Sequence, residues 1–170
     1  MKAAFFDRDG TLIVNKHYLS SPTGIRFQPC AFELLRHLLR LNYKIFIVTN
    51  QSGVRRGFYS RERVDEINRE MLLRLNQEKV HVTEVVYCPH HPKERCPCRK
   101  PQNLLLKELV RRYNIDTAKS FVIGDRIEDV LLGKSLNIKT ILLTNELTTL
   151  SEKPDFFVSS LCEIFKIINE

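Results

Sequence analysis

Three features of the amino-acid sequence predict an α/β fold, a single Rossmann-like domain in which helices flank a parallel sheet. Short apolar runs alternate with amphipathic stretches along the chain, the order produced when each strand reaches a parallel neighbour through a helix. Four of those runs end in polar segments, and the carboxyl ends of strands are where parallel sheets bind ligands. The 170 residues suit one core: a folded surface of about 8,700 Å² against roughly 29,000 Å² for the unfolded chain buries about 70%. One domain over residues 1–170 is therefore expected.

The elements follow in order. Ala3–Phe6 is the first strand candidate, and a long polar loop covers residues 15–29. Residues 30–41 place Leu34, Leu35, Leu38 and Leu39 at helical spacing. Strand Lys44–Thr49 comes next, then a helix over 61–78 with Val64, Ile67, Met71 and Leu75 on one face. Strand Thr83–Tyr87 leads into residues 88–101, which hold four of the seven prolines and no helical period. Helices over 103–113 and 127–136 bracket the strand Ser120–Gly124, and strands Lys139–Leu143 and Asp155–Val158 complete the sheet. A last helix is expected over 160–169, opening on the capping-box pattern Ser160-Leu-Cys-Glu163.

Composition narrows the class without choosing a function. With 43% hydrophobic and 28% charged residues the chain is neither disordered nor collagen-like. No apolar run approaches the ~20 residues of a membrane helix. Met1–Phe6 is too short for a signal-peptide core, so a cytoplasmic protein is expected. The net charge of +7 points to an anionic partner, whether nucleic acid, membrane or phosphorylated metabolite.

The polar strand ends carry the chemistry. They read Asp7-Arg-Asp9-Gly10-Thr11, Thr49-Asn-Gln-Ser52-Gly53, Arg99-Lys100-Pro101 and Gly124-Asp125-Arg126, with Asp129 beyond. Three carboxylates, a hydroxyl and an ammonium converging at one sheet edge suit phosphoryl transfer. Asp7 and Asp125 offer Mg²⁺ the hard oxygen ligands it prefers. The metal and Lys100 would offset the negative charge that repels an attacking carboxylate. One aspartate can then attack phosphorus while another handles the proton.

A second constellation lies in the proline-rich loop, where Cys88, His90, Cys96 and Cys98 have the spacing C-x-H-x5-C-x-C. Three thiolates and an imidazole make a closed tetrahedral set, the mark of a structural Zn²⁺. The prolines reduce the entropy lost in closing such a loop. Arg99 and Lys100 follow directly, so fixing the loop would aim them at the phosphate site. His91 reads as an exposed neighbour, and Cys30 and Cys162 as unpaired core residues.

At these residues the chain resembles the haloacid dehalogenase superfamily. The likeness runs from Asp7 to about Ser160 and falls in the small histidinol-phosphatase-like branch that includes the heptose-bisphosphate phosphatases. The resemblance implies Asp7 as nucleophile, Asp9 as general acid and base, and Thr49 and Lys100 as ligands of the phosphoryl group. It implies Mg²⁺ held by Asp7, the Asp9 main-chain carbonyl and Asp125, with Asp129 orienting the set, and a zinc loop of the kind already described. No large cap interrupts Thr11–Thr49, so loops must shield the site.

For the substrate, Thr49-Asn-Gln-Ser-Gly-Val-Arg-Arg56-Gly57 looks like the heptose-bisphosphate enzymes. The compact cysteine loop and Gly124-Asp-Arg126 look closer to histidinol phosphatase. Loop charge separates the two, because histidinol phosphate calls for spare carboxylates and a bisphosphate for arginines. Residues 15–29 and 50–59 contain Lys16, Arg26, Arg55 and Arg56 and no acid. The expected substrate is thus a sugar bisphosphate, losing the 7-phosphate of D-glycero-D-manno-heptose 1,7-bisphosphate, with histidinol phosphate as the alternative. Asn15, Lys16, His17, Tyr18, Asn50, Gln51, Ser52, Arg56, Arg99 and Arg126 are the expected substrate-binding residues. A polynucleotide 3′-phosphatase, or a zinc-stabilised module without catalysis, ranks lower, since no basic stripe with interleaved aromatics is present. A monomer is expected.

Overall fold

The computed structural model describes residues 1–145 and 151–169. Six parallel strands, β1 (Ala3–Phe6), β2 (Lys44–Asn50), β3 (Glu84–Cys88), β4 (Phe121–Gly124), β5 (Lys139–Leu143) and β6 (Phe156–Val158), form one sheet in the order β3-β2-β1-β4-β5-β6. The helices are α1 (Ala31–Arg40), α2 (Arg61–Gln77), α3 (Leu104–Arg112) and α4 (Ile127–Lys134). The solvent-accessible surface is 9065 Å², close to the value expected for one compact core.

Strand periodicity divides that core in two. Ala4 and Phe6 of β1, with Ile45 and Ile47 of β2, face the layer containing Leu34 and Leu38 of α1 and Ile67 and Met71 of α2. Ala3 and Phe5, with Phe46 and Val48, face Leu106 and Leu109 of α3 and Leu132 of α4. Because successive residues point to opposite faces, a strand covered on both sides must be apolar throughout, and β1 is. The chain order reverses about β1, with β2 on one side and β4 on the other. That switch point opens a crevice at the carboxyl ends of the two strands.

Two expectations fail at the C-terminus. The segment after Ser160 is a 3-10 helix, Leu161–Lys166, with no side-chain cap from Ser160, in place of an α-helix. Its buried residues Leu161 and Ile164 join the α1 face, and His37 of α1 bonds the Ile168 carbonyl oxygen at 2.9 Å. Tertiary packing outweighs the local capping pattern. Cys30 and Cys162 are not unpaired core residues but form a disulfide. Their separation of 132 positions gave no local sign that the start of α1 and the C-terminal turn are neighbours.

Candidate active site and metal centres

β1 delivers Asp7 to the crevice, where its backbone N–H bonds the Ile123 carbonyl of β4 at 2.9 Å. Asp125 follows β4, and Asp129 sits in the first turn of α4. Side-chain oxygens of Asp7, Asp125 and Asp129 all lie within 4.8 Å of one another. Two glycines make this crowding possible. Gly10 has φ +95°, and a Cβ there would overlap the Asp125 carboxylate. A Cβ at Gly124 would overlap that of Asp129.

Lys100, in the segment between β3 and α3, joins the same cluster. Its Nζ donates to Asp7 Oδ1 at 2.8 Å and to Asp129 Oδ1 at 2.6 Å, and all three side chains are buried. Burial alone would lower the ammonium's pKa, but the charges of Asp129 and Asp7 carry it above the ordinary lysine value. Among the acids, burial comes first and neighbouring charge second: Asp125 is pushed up to about 6 by desolvation and then by Asp7. Burial also raises Asp129, with the Lys100 charge working against the rise. Three carboxylates thus share one ammonium, a set short of positive charge by its own chemistry. An oxygen-preferring divalent cation fits that deficit.

Lys100 is placed by its backbone. Asn50, at the end of β2, accepts from the Lys100 N–H at 3.0 Å and donates to its carbonyl at 3.1 Å. The Lys100–Pro101 peptide is cis. Immediately upstream, the sulfurs of Cys88, Cys96 and Cys98 lie 3.1–3.5 Å apart. His90 Nδ1 is 3.5 Å from Cys88 Sγ and 3.2 Å from Cys98 Sγ. These separations are far beyond a covalent S–S bond, and the four atoms all lie within 4.8 Å of one another, a set that could hold one metal ion. Burial and the Cys98 sulfur push the Cys88 thiol up, a tension that a cation drawing out the proton would relieve. His91 stays outside the cluster: its Nδ1 accepts from Lys93 N–H and caps the following turn.

Asp9 lies beside Asp7 but turns its side chain away from the carboxylate cluster. Its Oδ2 accepts from Arg8 Nε and Arg8 Nη2 at 2.9 Å each, and from Gln51 Nε2 at 2.8 Å. Arg8 is 1% exposed and also donates to Asn68 Oδ1 of α2 at 2.8 Å. Gln51 bonds Thr49 Oγ1 at 3.0 Å as well, and accepts from the Tyr59 hydroxyl.

A cavity of about 160 Å³ opens over these groups. Of the expected substrate-binding residues, Asn15, His17, Tyr18, Asn50, Gln51, Ser52, Arg99 and Arg126 line it together with Asp7, Asp9, Thr49, Lys100 and Asp129. Lys16 and Arg56 are not among the lining residues; Arg56 instead lies 5.9 Å over the Tyr18 ring. Arg55 pairs with Glu94 of the cysteine loop. Asn50 and Gln51 line the cavity with amides already committed inside the protein. Sequence reasoning missed Tyr59 and Glu128 in the lining, and Arg8 and Asn68 beneath it. Asn68 did leave a signal, as a polar residue on the apolar face of α2 between Val64 and Met71.

The chain matches the HAD-hydrolase-like family model over residues 97–164. It is 36% identical over 151 residues to the D-glycero-beta-D-manno-heptose-1,7-bisphosphate 7-phosphatase of Helicobacter pylori, covering 87% of each chain. It is 34% identical over 171 residues to the D-glycero-alpha-D-manno-heptose-1,7-bisphosphate 7-phosphatase of Campylobacter jejuni, covering 99% of this chain and 96% of that one. Among solved structures, the heptose 1,7-bisphosphate phosphatase of B. bronchiseptica, complexed with magnesium and phosphate, superimposes with a TM-score of 0.90 at 24% identity over 99% of this chain and 98% of that one.

Proposed function

The chain belongs to the haloacid dehalogenase superfamily of hydrolases, and on that premise we propose that it is a Mg²⁺-dependent phosphatase removing the 7-phosphate of D-glycero-D-manno-heptose 1,7-bisphosphate through an aspartyl-phosphate. The observation that carries the reaction class is the Lys100 ammonium bridging Asp7 and Asp129 beside Asp125. A carboxylate so held has its negative charge balanced by a neighbouring cation, which a nucleophile facing an anionic phosphate needs.

In the first step an Asp7 carboxylate oxygen bonds phosphorus. The ester P–O bond breaks, and its electron pair goes to the leaving oxygen, which takes a proton from Asp9. In the second, a water oxygen bonds phosphorus as Asp9 accepts the water proton. The Asp7 oxygen leaves, releasing phosphate and restoring both aspartates. Thr49 and Lys100 bind the phosphoryl oxygens. Asp7, the Asp9 carbonyl and Asp125 would hold Mg²⁺, which when bound supplies positive charge to the transferring group. Asp129 orients Lys100. Zn²⁺ on Cys88, His90, Cys96 and Cys98 would fix the loop that presents Arg99 and Lys100. All these groups come from one chain, consistent with a monomer.

The substrate rests on the identity with heptose-bisphosphate phosphatases and on Arg99 and Arg126 in the cavity wall, two cations beyond Lys100 for a second phosphate. Glu128 in the same wall favours a second reading, histidinol phosphate, whose ammonium it could pair with. The test is kcat/KM for both heptose bisphosphate anomers and for histidinol phosphate. A preference for either anomer supports the proposal, and a preference for histidinol phosphate overturns the substrate.

A further inference from the structure

The amide of Gln51 is fully used, and by partners that matter. Its Oε1 accepts from the Tyr59 hydroxyl at 3.0 Å, and Asp9 Oδ2, which already accepts from the Arg8 guanidinium, determines which end of the amide carries the N–H groups. Those N–H groups then face Asp9 Oδ2 at 2.8 Å and Thr49 Oγ1 at 3.0 Å. Gln51 itself is buried, and Tyr59 is wedged against Gly53, where a Cβ would strike the ring. The bridge is therefore built into the wall of the cavity, with Tyr59 half-buried behind the amide.

Two chemical consequences follow from donor and acceptor counting. Three N–H groups, two from Arg8 and one from Gln51, converge on Asp9 Oδ2. A proton on that oxygen would oppose them, so it resides on Oδ1, the oxygen these donors leave open. Thr49 Oγ1 accepts from Gln51, so its own O–H hydrogen remains to donate to a phosphoryl oxygen. We propose that Gln51 is a positioning residue for Asp9: held by Tyr59, it assigns the catalytic proton to Oδ1, ready for the leaving oxygen.

This assignment rests on the phosphatase reading above, and leaving-group dependence tests it. An alkyl phosphate such as heptose 1,7-bisphosphate or histidinol phosphate must have its leaving oxygen protonated, whereas p-nitrophenolate departs without a proton. Gln51→Leu should lower kcat/KM about 10–100-fold for whichever alkyl ester the wild type hydrolyses, a fraction of the usual contribution of a general acid. It should lower kcat/KM for p-nitrophenyl phosphate about 10-fold less than that, because the step draws on the Thr49 contact but not on the Asp9 proton. Tyr59→Phe keeps the ring against Gly53, removes only the hydroxyl, and should show the same asymmetry at smaller size even if the Gln51 variant folds poorly. Equal losses on both esters, or no loss, in the two variants would overturn the assignment while leaving the phosphatase intact. Failure of the wild-type protein to release phosphate from any of the three esters would overturn the function and this assignment together.

Discussion

Replacing Lys100 with methionine tests the electrostatic logic of the site most directly. The substitution keeps the length and apolar stem of the side chain and removes one charge that two buried carboxylates share, at 2.8 Å to Asp7 and 2.6 Å to Asp129. Breaking a buried pair by removing one partner costs about 3–5 kcal/mol, because the remaining charge is left without compensation. For a domain of this size each kcal/mol moves the melting temperature by about 2–4 °C, so an overall fall of about 6–20 °C is expected. The measurement is thermal unfolding by circular dichroism, without Mg²⁺, at about pH 8, where free carboxyl groups are ionised. Adding Asp129→Asn to Lys100→Met removes one of the two stranded charges and should restore part of the loss. Phosphate release should fall about 10²–10³-fold in the single variant, as when one preorganised donor to the transition state is lost. A melting temperature within about 3 °C of wild type, or no recovery in the double variant, would refute the claim that Lys100 holds the acids together.

Three further outcomes are expected. Asp7→Asn should abolish phosphate release while the circular dichroism spectrum stays native; turnover in that variant would end the aspartyl-phosphate mechanism. Stripping the loop metal with a chelator, or Cys96→Ser, should lower activity after Mg²⁺ is restored, because the loop that presents Arg99 and Lys100 is loosened; full activity in zinc-free protein would count against a structural role. The gain in melting temperature from saturating Mg²⁺ should grow between about pH 5 and about pH 7.5. Asp125 is pushed up to about 6 in the folded protein, so the folded state holds its proton more tightly than the unfolded chain, whose aspartates titrate near ~3.9. Metal-free stability from this group falls as pH rises from about 4 to about 6, and the ionised form that Mg²⁺ requires becomes available as pH passes the upper of these values. A gain independent of pH would remove Asp125 from the metal site.

What the sequence disclosed, it disclosed through local rules. β1 could be read because a strand buried on both faces must be apolar at every position, and Asp7 follows its last residue. The Cys/His cluster could be read because Cys88, His90, Cys96 and Cys98 lie within eleven residues, so spacing alone limits their geometry. The Cys30–Cys162 disulfide could not, since only the packing of the C-terminal turn on α1 brings the two together. Arg8 escaped for a related reason. Between Asp7 and Asp9 it looks like a surface charge, and its burial becomes visible only when Asn68, from another element 60 positions away, arrives to receive it.

The same distinction alters what the net charge means. Basic loops seemed to answer a doubly phosphorylated substrate with many cations, yet the folded chain uses several of them elsewhere. Arg55 is turned to Glu94, Arg56 lies over Tyr18, and Lys100 is engaged by Asp7 and Asp129. Arg99 and Arg126 remain in the cavity wall, the first half-buried and donating also to the His90 carbonyl at 3.5 Å, the second exposed. An exposed arginine contributes little through charge alone, because water and salt screen it. Discrimination between a second phosphate and an ammonium therefore falls mainly on Arg99 against Glu128, two side chains on opposite sides of the decision. The excess of +7 can raise the rate at which anions arrive, but it is this pair that has to recognise which anion has come.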